Sequence, residues 1–336
     1  ENEKYSFNKG LTYIGRTERN INETYTLPTG KRSKYVNKAN EKTFTYRNGE
    51  NQLLKVICRA YDDGIAFRYE LDNEEPVTIR QELTECALAD GTHTWMMDWI
   101  KDYENFYPER VLDTITSPKE FMLPVLTLQG EQWMLMTEAE VYTLPAMHLS
   151  KEANAATFHY EYAREDPTFE GEPSFKTSWK TFIMGKNLGD IVESSLVENL
   201  NPPTDFTDTD WIKPGVAAFP WWGNYLANSY IDTLKMYVDM AAEMKWDWLE
   251  FDVSLINTPI HSSKEWENVT WIPELTAYAK EKNIRVYGWD EINVLDNKAG
   301  RDYVFDRYKE MGLDGIKIDY IDSDSKYAMM FRDTAC

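Results

Sequence analysis

From about residue 211 onward, strand-forming runs and helical periodicities alternate at a near-constant interval. This alternation constrains the fold more than any other feature of the chain. Strand-like runs start at Gly215 (Gly-Val-Ala-Ala-Phe-Pro-Trp221), Trp248 (Trp-Leu-Glu-Phe-Asp-Val-Ser254), Ile284 (Ile-Arg-Val-Tyr-Gly-Trp-Asp290) and Gly315. Between them, three sets of apolar residues recur at three- and four-residue steps: Ile231, Leu234, Val238 and Ala241; Ile272, Leu275 and Ala279; Val304, Tyr308 and Met311. Each set marks one apolar helix face. Regular strand–helix alternation builds a parallel sheet with helices packed on it. A doubly wound sheet would carry a glycine-rich phosphate loop after its first strand. Here the first run ends in Phe219-Pro-Trp-Trp-Gly-Asn224, which does not fit. The expectation is a (β/α)8 TIM barrel, which takes roughly 250 residues. Residues 211–336 hold about four β/α units, so the second half of the barrel is expected to lie outside this sequence.

The fourth run, Leu313-Asp-Gly-Ile-Lys-Ile-Asp-Tyr-Ile-Asp322, carries the sharpest chemical signal. Gly312 can close the preceding helix, and Asp314-Gly315 can turn into the strand. A barrel strand buried on both faces should be almost continuously apolar. Lys317 and Asp319 interrupt it, and buried charges are costly unless paired or used. Their i, i+2 spacing puts both side chains on one face. That arrangement fits a catalytic carboxylate with a substrate-holding lysine, and equally a structural ion pair.

Residues 1–200 read differently. Short alternating segments recur, among them Thr43-Phe-Thr-Tyr46, Leu53-Leu-Lys-Val-Ile-Cys58, Ile65-Ala-Phe-Arg-Tyr69 and Trp133-Met-Leu-Met136. Turn residues separate them, as in Arg47-Asn-Gly49 and a tight turn at Asp63-Gly64. The pattern implies a large β-sandwich domain. Pro202 and Pro203, followed by the acidic stretch Asp205–Asp210, mark 201–210 as a linker, with 211–336 as the catalytic domain.

Several function classes are disfavoured. The formal charge of −21 argues against a nucleic-acid partner. No apolar run reaches the ~18 residues of a membrane helix, so membrane insertion is not expected. Cys58, Cys86 and Cys336 form no metal motif, and a Cys58–Cys86 bridge is one open pairing. His93, His148, His159 and His261 carry no zinc signature. The opening Glu1-Asn-Glu-Lys lacks an initiator Met, and Cys336 falls within a helical stretch, so both ends are expected to be cut.

The C-terminal ends of the four strands gather acids and tryptophans: Trp221 and Trp222; Glu250 and Asp252; Trp289, Asp290 and Glu291; Lys317, Asp319 and Asp322. Glycoside hydrolysis needs two carboxylates flanking the glycosidic bond, and aromatic faces can platform a sugar ring. Acids at strand ends also cap helices, and one of Asp322, Ser323 and Asp324 is expected to do so for the last helix. No Ser-His-Asp set or phosphate loop competes.

Several motifs then carry a family resemblance. Thr24-Tyr-Thr-Leu-Pro-Thr-Gly-Lys31, Arg59-Ala-Tyr-Asp-Asp-Gly-Ile-Ala-Phe-Arg-Tyr69 and Thr137-Glu-Ala-Glu140 resemble the N-terminal β domain of glycoside hydrolase family 97. Glu198-Asn-Leu-Asn201, Gly223-Asn224 and Gly315-Ile-Lys-Ile-Asp-Tyr320 resemble its barrel. The resemblance implies a β-supersandwich before a (β/α)8 barrel, in bacterial α-glycosidases of the periplasm or extracellular space that act on oligosaccharides. It implies that Asp319 is the nucleophile of the retaining, α-galactosidase-like branch. It places Lys317, Asp252, Trp222, Trp289, Asp290 and Glu291 around the substrate, and Glu138 on a calcium ion. Calcium takes about 6–8 oxygen ligands, and the others would lie beyond Cys336, as would the acid/base glutamate. The 336-residue piece alone is therefore expected to be inactive. Two other readings stay open: an inverting α-glucosidase using Glu291 as a base, and a carbohydrate-binding protein without catalysis. Oligomeric state is not legible.

Overall fold

The computed structural model describes residues 5–224, 226–252 and 270–335. The chain packs as two compact units, Glu1–Asp205 with Asp322–Cys336, and Phe206–Ile321.

The first unit is β-rich, and every strand pair described within it is antiparallel. A nine-stranded sheet begins at the long hairpin Thr12–Thr26 and Lys34–Arg47 and continues through Leu53–Tyr61 and Gly64–Leu71. A second sheet has four strands, Glu85–Ala87, Thr157–Tyr162, Met147–Lys151 and Lys119–Phe121. One core joins the two sheets: Val125, Met136 and Phe182 from the first pack with Phe121, Leu149, Phe158 and Tyr160 from the second. On the other face of the large sheet, Ile57, Ala66, Trp179 and Ile183 are covered by Ile191, Leu196 and Leu200 of two short helices. Alternation along the strands sends side chains to these two cores in turn.

The hairpin expected at Asp63-Gly64 forms one residue earlier. Tyr61 pairs with Gly64, leaving Asp62-Asp63 as the two-residue loop. Glycine is needed at 64 for close approach, since a Cβ there would lie 2.2 Å from the Phe182 carbonyl oxygen. Cys58 and Cys86 sit on different sheets as separate thiols, so the bridge left open by the sequence is not made.

The second unit contains four parallel strands in sequential order, Ala217–Ala218, Trp248–Glu250, Arg285–Glu291 and Gly315–Asp319. Helices Ile231–Met244, Trp271–Glu281 and Lys298–Glu310 connect them and bury the faces read from the periodicity, Leu234, Val238 and Ala241 on the first and Ile272, Leu275 and Ala279 on the second. The first strand is shorter than expected. Pro220 occupies the first position of a helical turn, Pro220–Gly223, where its missing N–H costs nothing. Of the second run, residues 253 and 254 lie outside the described residues. Gly312 ends the third helix at φ +80°, and Thr276 donates its hydroxyl to Met311 O beside it. The fourth strand is half-buried along its length rather than enclosed on both faces.

The stretch after that strand returns to the β-rich unit. Asp324 accepts a hydrogen bond from the Tyr103 hydroxyl, and its carbonyl accepts one from Ala146 N–H. The cap of the last helix, Lys326–Ala335, is Ser325, whose hydroxyl accepts the Ala328 N–H at 3.2 Å. The expected capping residues 322–324 lie too early in the chain to serve. Among the described residues, no helix is long and apolar enough to cross a membrane.

Candidate active site

The site is set by register. Trp289 opposes Lys317 and Glu291 opposes Asp319 across the third and fourth parallel strands, while Glu250 on the second strand opposes Tyr287. Side-chain alternation therefore puts Glu250, Tyr287, Trp289, Glu291, Lys317 and Asp319 on one face. Asp252, two residues beyond Glu250, continues it.

Asp319 is held from three sides. The Trp289 indole N–H donates to Oδ2 at 2.9 Å, the Tyr320 backbone N–H donates to Oδ1 at 2.9 Å, and Lys317 Nζ stands 3.3 Å from Oδ2. Burial pushes the Asp319 carboxyl up, but the Trp289 and Tyr320 hydrogen bonds and the Lys317 charge outweigh it and hold the group below the usual carboxylate range. The side chain remains 43% exposed, so this ionised group is accessible. Tyr320 reaches it from a left-handed backbone at φ +57°, a conformation costly for a non-glycine residue. Its ring packs edge-on against Trp289 at 5.7 Å.

Lys317 also lies 5.1 Å from the centre of the Phe219 ring, and Phe219 in turn packs 6.0 Å from Trp222. Trp222 is 87% exposed, presenting its indole to solvent. The first strand thus contributes an aromatic ledge beside the charged pair. Phe219 is a site residue that the sequence reading misses, although its place next to Pro220 at a strand end is the same signal that marks Trp222.

Glu250 and Asp252 are almost wholly buried, 2% and 5% exposed. Burial and the neighbouring Asp252 carboxyl push Glu250 up to about 9. Burial also raises Asp252, against the lowering effects of a hydrogen bond with Glu250 and the Lys317 charge.

Asp290 does not join this face. It alternates onto the helix side, where its charge raises the Tyr308 hydroxyl further above a level already set by burial, and its Oδ1 accepts the Glu291 N–H. Tyr308 itself donates to Trp289 O at 3.0 Å. Glu291 stays half-exposed at the strand end, taking a hydrogen bond from Asn293.

Glu138 belongs to the β-rich unit. Met147 N–H and the Ser178 hydroxyl each donate to one of its oxygens at 2.8 Å. Burial raises its carboxyl, more than these donors and Lys180 lower it. Among the described residues, no group of three or more His, Cys, Asp or Glu side chains gathers to hold a metal ion.

Comparison with known proteins bears on both units. A family model described as glycosyl-hydrolase 97 N-terminal matches residues 2–203, and one described as glycoside hydrolase 97 matches residues 216–335. The chain is 27% identical over 331 residues to a probable retaining alpha-galactosidase of Streptomyces bingchenggensis, covering 97% of this chain and 51% of that protein. It is 22% identical over 362 residues to a retaining alpha-galactosidase of Bacteroides thetaiotaomicron, covering 95% and 53%. The chain thus spans about half the length of the curated relatives it matches. Its fold follows that of a family 97 enzyme from Pseudoalteromonas sp. strain K8 solved with acarbose, at a TM-score of 0.83, 20% identity, and coverage of 97% of this chain and 56% of the other. With both units matched by models of one family, the chain belongs to glycoside hydrolase family 97.

Proposed function

We propose that this chain supplies the β-rich domain and the first half of a (β/α)8 catalytic barrel to a retaining glycosidase that removes terminal α-galactosyl groups from oligosaccharides. Asp319 is the nucleophile. Its carboxylate attacks the anomeric carbon, the bond to the leaving oxygen breaks, and a covalent glycosyl-enzyme forms. A carboxylic acid about 5–5.5 Å away protonates the leaving oxygen and then activates the water that releases the sugar. That acid is not assigned to a residue of this chain. Lys317 and Asp252 orient sugar hydroxyls, Trp222 and Trp289 flank the ring, and Glu291 closes the strand-end side.

The observation that carries the reading is the Asp319 environment. A nucleophilic carboxylate must be ionised, oriented and reachable. The Trp289 and Tyr320 donors and Lys317 supply the first two properties, and partial exposure supplies the third. Two relatives with retaining alpha-galactosidase in their names support the substrate class. Calcium enters only through Glu138, as an accessory ion whose further ligands lie outside the described residues. A periplasmic or secreted bacterial setting belongs to the same proposal.

The test is stereochemical. The full-length protein is given an aryl α-galactoside and, in parallel, an aryl α-glucoside, and the first sugar released is followed by proton NMR. α-Galactose appearing first is the expected result. A β-sugar appearing first overturns Asp319 as nucleophile and makes Glu291, its cross-strand neighbour, the candidate base.

A further inference from the structure

Glu250 has no role in the mechanism above, yet it occupies the most enclosed position on the site face. Its neighbour Asp252 lies two residues on and is buried as well. Oε1 of Glu250 and Oδ1 of Asp252 meet no hydrogen-bond donor among the described residues. Two buried carboxylates on one face, each with an oxygen that meets no donor among the described residues, repel when both are ionised, and a proton held between them removes that repulsion. The charges around them point the same way. From the fourth strand, Lys317 and Asp319 face the pair; Lys317 is the cation there, and Asp319 already stands 3.3 Å from it. From the third strand, Tyr287 faces the pair as a neutral hydroxyl, raised by burial and then by Glu250 and Asp252. The first strand, Ala217–Ala218, brings no charge. Among the described residues, three carboxyl groups thus share one ammonium.

We propose that Glu250 is a positioning residue that keeps a proton and donates it to Asp252, fixing the Asp252 carboxylate so that its remaining lone pairs accept from a sugar hydroxyl beside Lys317. This inference rests on the glycosidase reading for its substrate, but not for the dyad itself. The proton stays within the pair through turnover, so Glu250 makes no bond to the substrate. The raised Glu250 carboxyl follows from the same geometry. An amide should replace a protonated carboxyl, because it is neutral and retains a donor. A methyl group should not.

The dyad is read directly by carbon-13 NMR of the full-length protein carrying labelled Glu and Asp carboxyl groups, with Glu250→Gln and Asp252→Asn for assignment. The expected result is one carboxyl of the pair still protonated above pH 7, a signal lost in Glu250→Gln. Ionisation of both carboxyls below pH 6 overturns the proposal. The second arm uses the full-length protein and its aryl glycoside. Glu250→Gln should keep KM within about threefold of the parent and remove the rise of KM at alkaline pH, while Glu250→Ala should raise KM about tenfold or more with a smaller change in kcat. A hundredfold loss in Glu250→Gln, or Glu250→Ala indistinguishable from the parent, overturns the positioning role. A parent inactive on every glycoside sinks the glycosidase reading instead, and with it the sugar contact, while the carbon-13 titration still decides whether the proton is shared.

Discussion

Each unit contains a lysine bonded to a carboxylate, and the two are built to opposite standards. In the β-rich unit, Lys180 is wholly buried and Glu82 nearly so, 2.7 Å apart. Thr84 and Tyr162 donate to the Glu82 oxygens, and Lys180 also reaches Ser178 O. That network is closed. In the second unit, Lys317 and Asp319 are 39% and 43% exposed, their separation is longer, and the buried acids beside them carry oxygens that meet no donor among the described residues. Buried polar groups are normally satisfied, so an open network is one that a ligand or a proton completes. The closed pair holds a fold together, while the open one is arranged to receive something.

The largest effect that can break this contrast is on catalysis. Asp319→Asn in the full-length protein should lower kcat by at least about 10⁴-fold, as expected when a covalent nucleophile is removed. Its melting temperature should stay near that of the parent, because the side chain is half-exposed and buries no charge when altered. Activity within tenfold of the parent would mean that the open pair is only structural.

Next comes the cost of cutting each pair. Lys180→Met leaves Glu82 buried and unpaired, and chemical denaturation should show a loss of about 3–5 kcal/mol. Lys317→Met should cost less than about 1 kcal/mol, since solvent screens an exposed pair, while weakening substrate binding strongly. If the two substitutions destabilise the protein equally, the distinction between closed and open pairs fails.

Much of this organisation is legible in the sequence, and the reasons for the rest are specific. Helix faces such as Leu234, Val238 and Ala241 follow from periodicity because helix packing repeats along one stripe. Lys317 and Asp319 stand out because charges in an apolar strand are conspicuous. Asp290 falls on the helix side and not on the face that carries Lys317 and Asp319, because a strand end bearing Trp-Asp-Glu does not say which residue faces which side. Only the register with Lys317 and Asp319 decides that. The significance of Glu250 depends on a cross-strand charge count that spacing cannot supply. Residues 322–324 read as caps because an acidic Ser-containing run suits a helix start, whereas Ser325 supplies the cap and Asp324 turns inward.

Asp324 gives the smallest and most discriminating test, because it is intermediate between the two standards. It is buried in the first unit and accepts the Tyr103 hydroxyl, yet burial outweighs the Arg332 charge and lifts its carboxyl from 3.8 to about 6. A carboxyl raised in the folded state holds its proton more tightly there than in the unfolded chain. Folding is therefore most favoured below about pH 4, and stability falls as pH rises through about 6. The full fall amounts to at most about 3 kcal/mol. Asp324→Asn should flatten that slope in denaturation curves measured between pH 4 and 7, because the amide has no charge to bury. Glu250→Gln should flatten a separate fall that extends to about pH 9. If Asp324→Asn leaves the acid-side slope unchanged, Tyr103 and Arg332 already offset the burial of the acid, and it belongs with the closed network of Lys180 and Glu82 rather than between the two.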